Sequence, residues 1–342
     1  MKGRITIAFG ISVVLLGFLI LAVGWESVLA SIGQATLRIY AVAFLAISGC
    51  LLFRALVWHR VLSVVDRPRP YWLVSGIVLT ATFAKYVAPY GLVTSGVGVA
   101  AVVSRYYDSA YEEGLAATVS ADFLNYLPYY SFGAVGASYV LFVYSPSIPL
   151  RQYTTVGVLV GSGVIALVLV AWRSQRILID CLLRILDSAR RVVARVSSTK
   201  SRHLRRENLS ARFEGFSTTV ELVSRNRSSM AIALVYAHLA WLGLAIALYA
   251  TAQAVAMPIP FGVAILGVAL SKLGFLVPTP GGVGGVEFTL ASVLYLLTPM
   301  GMAIATSIAI LFRFASYWFP MCLGGVISMA LTLSDPLPPD AE

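Results

Sequence analysis

The 342 residues are 59% hydrophobic and only 12% charged, with a mean hydropathy of +0.85, where soluble domains carry about a quarter charged residues. This excludes a soluble globular protein and makes the chain a polytopic membrane protein, whose length is counted in spans of roughly 20 residues. The net charge of +10 is the basic excess that membrane proteins keep on their cytoplasmic side, so no nucleic-acid partner is expected.

The chain opens with MKGRITIAFGISVVLLGFLILAVGW, a basic start and a long apolar run without a small-x-small cleavage site, which reads as an uncleaved first helix. Apolar runs follow at 39–58, 71–88, 90–104, 115–142, 153–172, 230–251, 259–277, 282–299 and 301–332, after the first at 5–24. The runs 5–24, 39–58, 115–142, 153–172, 230–251 and 301–332 are long enough to span the bilayer. The pairs 71–88/90–104 and 259–277/282–299 are shorter pieces joined at the breaks KYVAPYGLVTSG and FLVPTPGGVGG. The expected fold class is an all-α polytopic membrane protein, with six spanning helices and two broken, re-entrant helical hairpins at 71–104 and 259–299. These form one transmembrane domain over 1–332, followed by a short polar tail, 333–342.

Sidedness follows from Lys and Arg. With the N-terminus inside and each broken pair returning to the side it came from, Lys2, Arg4, Arg60, Arg67, Arg69, Arg105 and the 173–229 segment are cytoplasmic. Only Arg38 and Arg151 lie outside, and Arg54, Lys85, Lys272 and Arg313 fall within or at the edge of spans. Two full crossings per pair give the same sidedness. The 173–229 segment holds 13 of the 25 Lys and Arg. Leu178, Leu182, Ile185, Ala189, Val193 and Val196, and then Leu209, Phe213, Phe216, Val220 and Val223, recur at helical spacing. This predicts two basic amphipathic helices on the inner leaflet, suited to anionic headgroups. An ordinary positive-inside loop under the bundle fits the same residues.

The two broken pairs sit in matching contexts of opposite direction. Span 39–58 runs inward, a hairpin follows from inside, and 115–142 runs outward. Span 230–251 runs outward, a hairpin follows from outside, and 301–332 runs inward. The tips Val87-Ala88-Pro89-Tyr90-Gly91 and Val277-Pro278-Thr279-Pro280-Gly281 each follow a lysine, Lys85 or Lys272. Inverted repeats with interrupted helices place a transport site near the midplane. A break in hydrocarbon is tolerated only where protein or water meets its backbone groups. A half-helix starting near Gly284 directs its positive dipole end at an anion. A proline-kinked helix with packing glycines is the plainer alternative.

Ionisable groups at membrane depth face the bundle interior or water. The candidates are Lys85, Asp122, Lys272, Glu287 and Arg313, with Asn125 one turn after Asp122 on the same helix face. Glu287 and Arg313 are expected to pair, either to hold helices in register or to serve substrate passage. Lys85 and Lys272 have the alternative of snorkelling to an interface. His238 reads as a satisfied interfacial histidine, and Tyr126, Tyr129 and Tyr130 as interface belt. There is no nucleophile elbow, phosphate-binding loop or HExxH. Three histidines and three scattered cysteines, Cys50, Cys181 and Cys322, leave no metal site, disulfide framework or cofactor to expect.

The run Pro278-Thr279-Pro280-Gly281-Gly282-Val283-Gly284-Gly285-Val286-Glu287, with Arg313 and Tyr317-Trp318-Phe319-Pro320 downstream, resembles the signature of the lysylphosphatidylglycerol synthase transmembrane region family, the flippase-like membrane proteins of bacteria and archaea. A looser likeness covers nearly the whole chain and is similar to stand-alone archaeal members. The resemblance implies a lipid-handling protein, and points to Pro278, Pro280, Gly281, Gly282, Gly284, Gly285, Glu287 and Arg313, with Pro89 and Gly91 in the first half. The chain departs from the family pattern at Thr94-Ser95, where Gly-Glu is frequent, and at Ala121-Asp122, where an acid–arginine pair is frequent. No long hydrophilic stretch follows residue 332, which speaks against lipid aminoacylation by this chain.

These readings predict a lipid flippase in the cell membrane, not an enzyme, whose partners are anionic or isoprenoid/glycan-linked lipids. The anionic headgroup is expected between the two tips, balanced by Arg313 or Lys272. The alternative is a non-catalytic membrane subunit that scaffolds a soluble transferase through 173–229. A membrane-embedded transferase using Asp122 or Glu287 as base is a third reading, for which no nucleophile is found.

Overall fold

The computed structural model describes residues 25–87, 99–107 in part, 111–144, 218–277 and 279–333, with Gly17 and Gly215. The expected spans 5–24 and 153–172, the first tip with Pro89 and Gly91, the residue Pro278, most of 173–229 and the tail lie outside the described residues.

Every regular element among the described residues is helical. In chain order these are α1 (Trp25–Gly33), α2 (Leu37–Val65), α3 (Tyr71–Val87), α4 (Tyr111–Tyr126), α5 (Pro128–Tyr139), α6 (Arg227–Ala254), α7 (Phe261–Ser271), α8 (Gly285–Leu297), α9 (Met302–Arg313) and α10 (Phe319–Leu333). Four stretches are long and apolar enough to cross a membrane: Leu37–Val65, Arg227–Ala254, Pro280–Leu297 and Met302–Leu331. Tyr71–Val87 and Phe261–Leu276 are shorter apolar helices. With 29 residues, α2 reaches about 43 Å at 1.5 Å per residue, more than a hydrocarbon core of about 30 Å.

Two of the long runs are interrupted at prolines. The run 115–142 begins earlier, at Tyr111, and divides at Leu127 because Pro128 starts α5. Proline has no N–H and its ring displaces the preceding turn, so the ladder breaks there. The run 301–332 meets Pro320 differently: a π-helical turn, Phe314–Trp318, lies between α9 and α10. Such a turn carries one extra residue and absorbs the disruption without ending the helix. On the polar side, α6 begins at Arg227, where Asn226 Oδ1 accepts from Ser229 N–H at 3.1 Å, a side-chain N-cap. Of the predicted apolar stripe, Val223 is buried against the neighbouring helices.

The bundle is built round α2 and α6, which lie along one another. Around them α3 packs on α10, α5 on α7, and α8 between α7 and α9. In lipid the hydrophobic effect does not drive helices together, so contacts depend on small residues that allow close approach. Gly243 of α6 meets α2 so closely that a methyl there would come within 2.8 Å of the Ala46 carbonyl. A methyl on Gly136 would lie 2.7 Å from the Leu266 backbone of α7, and one on Gly324 of α10 would strike the Leu79 carbonyl of α3. Large apolar side chains such as Leu45, Phe142, Leu276 and Val326 point outward and are exposed, as a lipid-facing surface requires.

Candidate functional site

The run 259–299 gives up α-helical geometry between Ser271 and Gly285. After α7 the chain tightens into a 3₁₀ turn, Lys272–Leu276, passes through extended Val277 and Thr279, turns at Pro280–Gly282, and restarts as α8. Gly281, Gly282 and Gly284 have φ of 59°, 68° and 86°, the left-handed region that costs other residues about 1–2 kcal/mol each. Space demands glycine too. A methyl on Gly274 would run into the backbone of Gly285 and Val286, and one on Gly281 into the Tyr317 ring.

The freed backbone groups are met inside the protein, as they must be away from water. Thr279 Oγ1 donates to the Val283 carbonyl at 2.9 Å. Gly282 N–H donates to Thr279 O at 3.1 Å and Val283 N–H to Pro280 O at 3.2 Å. Glu287, 2% exposed, turns back so that its Oε2 accepts from Gly284 N–H at 2.8 Å, half of a capping box. Its Oε1 accepts from Arg313 Nε at 2.9 Å. Arg313 Nη2 donates to the Gly281 carbonyl at 2.7 Å, and the guanidinium sits 4.2 Å from the centroid of Tyr317. One arginine of α9 thereby fixes both the loop and the start of α8. The carboxylate at the positive end of α8 is the chain's own.

The tip is also joined to the first half. The rings of Tyr86, on α3, and Tyr317 stand 4.8 Å apart. Tyr317 Oη donates to the Tyr86 carbonyl at 3.3 Å, and Tyr86 Oη to the Ser316 carbonyl at 3.4 Å.

Beside this tip lies a cavity of about 150 Å³, between α2, α3, α4 and the 272–281 segment. Its charged wall is Arg54, Lys85, Asp122 and Lys272, with Thr82 and Asn125 as uncharged polar groups. Trp58, Tyr86, Tyr126 and Phe275 supply aromatic surface. Lys85 Nζ pairs with Asp122 Oδ2. Lys272 has no carboxylate partner among the described residues; its ammonium lies 5.8 Å from the Trp241 centroid and 5.6 Å from that of Phe275, contacts that partly replace a counter-ion. Arg54 Nε and Asn125 Oδ1 are buried without a hydrogen-bond partner among the described residues. A smaller void of about 20 Å³ shares Arg54, Tyr86 and Lys272 with this cavity and reaches Arg313.

The expected site residues therefore divide. Lys85, Asp122, Asn125, Lys272 and Gly281 line the cavity, whereas Pro280, Gly282, Gly284, Gly285, Glu287 and Arg313 build the braced tip behind it. Pro278, Pro89 and Gly91 lie outside the described residues. Snorkelling does not describe Lys85 or Lys272, since both turn into the cavity wall. Tyr126 belongs to that wall too and not to an interface belt, because α4 carries it on the face of Asp122 and Asn125. Tyr129 packs on Tyr130 and Trp241 at 5.0 and 6.0 Å. His238 is satisfied by Ser131 Oγ at 3.0 Å and the Leu234 carbonyl at 2.8 Å. Arg54 was legible as an arginine within or at the edge of an apolar span, a functional signal in itself, yet it was not among the expected site residues. Trp58 and Tyr86 gave no signal among the other aromatic residues of the spans. Among the described residues no three His, Cys, Asp or Glu side chains converge on a metal-sized site.

The sequence model of the family described as Lysylphosphatidylglycerol synthase TM region matches residues 5–324. The chain is 25% identical over 325 residues to a protein named UPF0104 membrane protein from Methanothermobacter thermautotrophicus, covering 94% of this chain and 91% of that relative.

Proposed function

This chain belongs to the lysylphosphatidylglycerol synthase TM region family, and on that premise we propose that it is a translocator that carries an anionic, modified or glycan-linked lipid between leaflets. The observation that carries the reading is the cation-lined cavity beside the second tip, inside a bundle of membrane-crossing helices. Arg54 and Lys272 receive the negative headgroup while the apolar tail stays in lipid. The Lys85–Asp122 pair borders the same space and can exchange partners with the guest.

The packing supports an inverted repeat with two re-entrant hairpins. Under it α2 corresponds to α6, α3 to α7, and α4–α5 to α9–α10. The central contact is then between equivalent helices, and each hairpin packs on the last helix of the other half, α3 on α10 and α7 on α5. Asp122 precedes Pro128 by six positions and Arg313 precedes Pro320 by seven, the extra residue being taken up by the π-turn. Rocking of two such halves about a midplane site is the usual carrier motion. The N-terminus and 173–229 are assigned to the cytoplasmic side of the cell membrane by their Lys and Arg.

No covalent step is assigned. Asp122 is tied to Lys85, and Glu287 is tied to Arg313 and Gly284, so neither is a free base. The test is leaflet exchange: purified protein in liposomes that carry fluorescent anionic, zwitterionic and glycan-linked lipids. Exchange of anionic headgroups above the protein-free rate is expected. No exchange of any lipid by protein shown to be folded would overturn the reading in favour of a scaffold subunit, which the 173–229 segment would then be tested for by pull-down.

A further inference from the structure

The cavity carries more positive charge than the chain neutralises. Lys85 and Asp122 cancel one another. Arg54 shares Asp122 with Lys85, Lys272 faces no carboxylate among the described residues, and Glu287, the acid of the adjoining tip, has both oxygens engaged by Arg313 and Gly284. The sequence between Val87 and Val99 holds neither Asp nor Glu, so the first tip supplies no missing acid. Against the three cations Arg54, Lys85 and Lys272 the described wall sets one carboxylate, Asp122; the surplus positive charges repel each other, and the guest that relieves them best carries two negative charges.

A second observation narrows the chemistry. Asn125 is 6% exposed, yet its Oδ1 lacks a partner among the described residues, as does Arg54 Nε, and both residues stand on the cavity wall. Buried polar atoms are rarely left unpaired without reason. A half-turn of the amide exchanges its oxygen and nitrogen, so Asn125 can present its NH2 to an oxygen of the guest. The cavity of about 150 Å³ is about ten times the ~10–15 Å³ that a single water needs, which is room for a phosphate group and its nearest atoms.

We propose that this cavity is a site for a dianionic phosphate, a phosphomonoester or a pyrophosphate, held between Arg54 and Lys272 with an oxygen on the Asn125 amide. Phosphodiesters, with a single negative charge, leave one cation unmatched and are discriminated against. The proposal rests on the translocation reading only for the source of the phosphate, a lipid headgroup; free phosphate shares the chemistry.

The experiment titrates the purified full chain with inorganic pyrophosphate, a short-chain phosphatidic acid and a short-chain phosphatidylglycerol. Binding is read from the fluorescence of tryptophan, including Trp58 on the cavity wall, and leaflet exchange is measured for the long-chain forms of both lipids. Pyrophosphate and the phosphomonoester are expected to bind about tenfold or more tightly than the phosphodiester. Arg54→Gln and Lys272→Gln should each weaken them by roughly tenfold or more, the usual scale for a charge-assisted contact, while Lys272→Arg retains binding. Equal binding of the two lipid classes, a preference that survives loss of both cations, or no binding of any probe would overturn the proposal. Equal leaflet exchange of both lipids would overturn it while leaving translocation standing. Pyrophosphate binding without lipid exchange would uphold the site, assign it to soluble phosphate, and overturn translocation.

Discussion

Arg313 and Lys272 are both cations inside the bundle, but they are held in opposite ways. Arg313 is 4% exposed and fully engaged by Glu287, Gly281 and the Tyr317 ring. Glu287→Gln should therefore cost about 3–5 kcal/mol, the range for removing one partner of a buried pair. Thermal unfolding of the purified protein would show it, and a variant as stable as wild type would refute the brace. Lys272 sits against two aromatic faces and beside Arg54. Lys272→Met should leave the ligand-free protein about 0.5–2 kcal/mol more stable, as replacing a strained functional group commonly does, while anion binding is lost; a fall in melting temperature would contradict this. The Glu287–Arg313 pair was legible in the sequence because an acid and an arginine at membrane depth have few other partners. The surplus of positive charge round Arg54 and Lys272 was not, because it depends on which acids the fold brings near them.

At the scale of elements, the glycines at helix crossings set how closely the bundle closes. Gly243→Leu should push α6 off α2 and destabilise by about 1–3 kcal/mol or more, as overpacking does, whereas Gly301→Ala, where a methyl meets nothing within 4 Å, should stay within about 0.5 kcal/mol. Equal unfolding temperatures for the two variants would contradict the close approach. The positions of α2, α6 and the second break followed from apolar run length and from Pro and Gly spacing. The division of 115–142 at Pro128 and the π-turn before Pro320 did not, since periodicity reports that a segment is helical and not where its ladder slips by one residue. The tip's direction was only half readable. The dipole argument called for an anion at the start of α8, and the anion there is Glu287, three residues downstream.

At the scale of the molecule, the proposed inverted repeat predicts the sides of two turns. The turn at Asp66–Pro70 should be cytoplasmic and the turn at Val255–Pro260 external. In a cysteine-free background, Arg67→Cys and Pro258→Cys should react with a membrane-impermeant maleimide from opposite faces of sealed vesicles; labelling from one face would rule the repeat out. Charge bias gave this sidedness in the sequence, and the pairing of α3 with α10 and α5 with α7 came only with the fold, because contacts between halves leave no local signature. The central claim, that the cavity is the path of the headgroup, is tested most directly by the initial rate of anionic-lipid leaflet exchange in Arg54→Gln/Lys272→Gln, compared with wild type after circular dichroism has shown equal helicity. The account predicts that wild type exchanges the lipid and that the double variant falls to the protein-free rate. A double variant that exchanges as fast as wild type would place the path elsewhere.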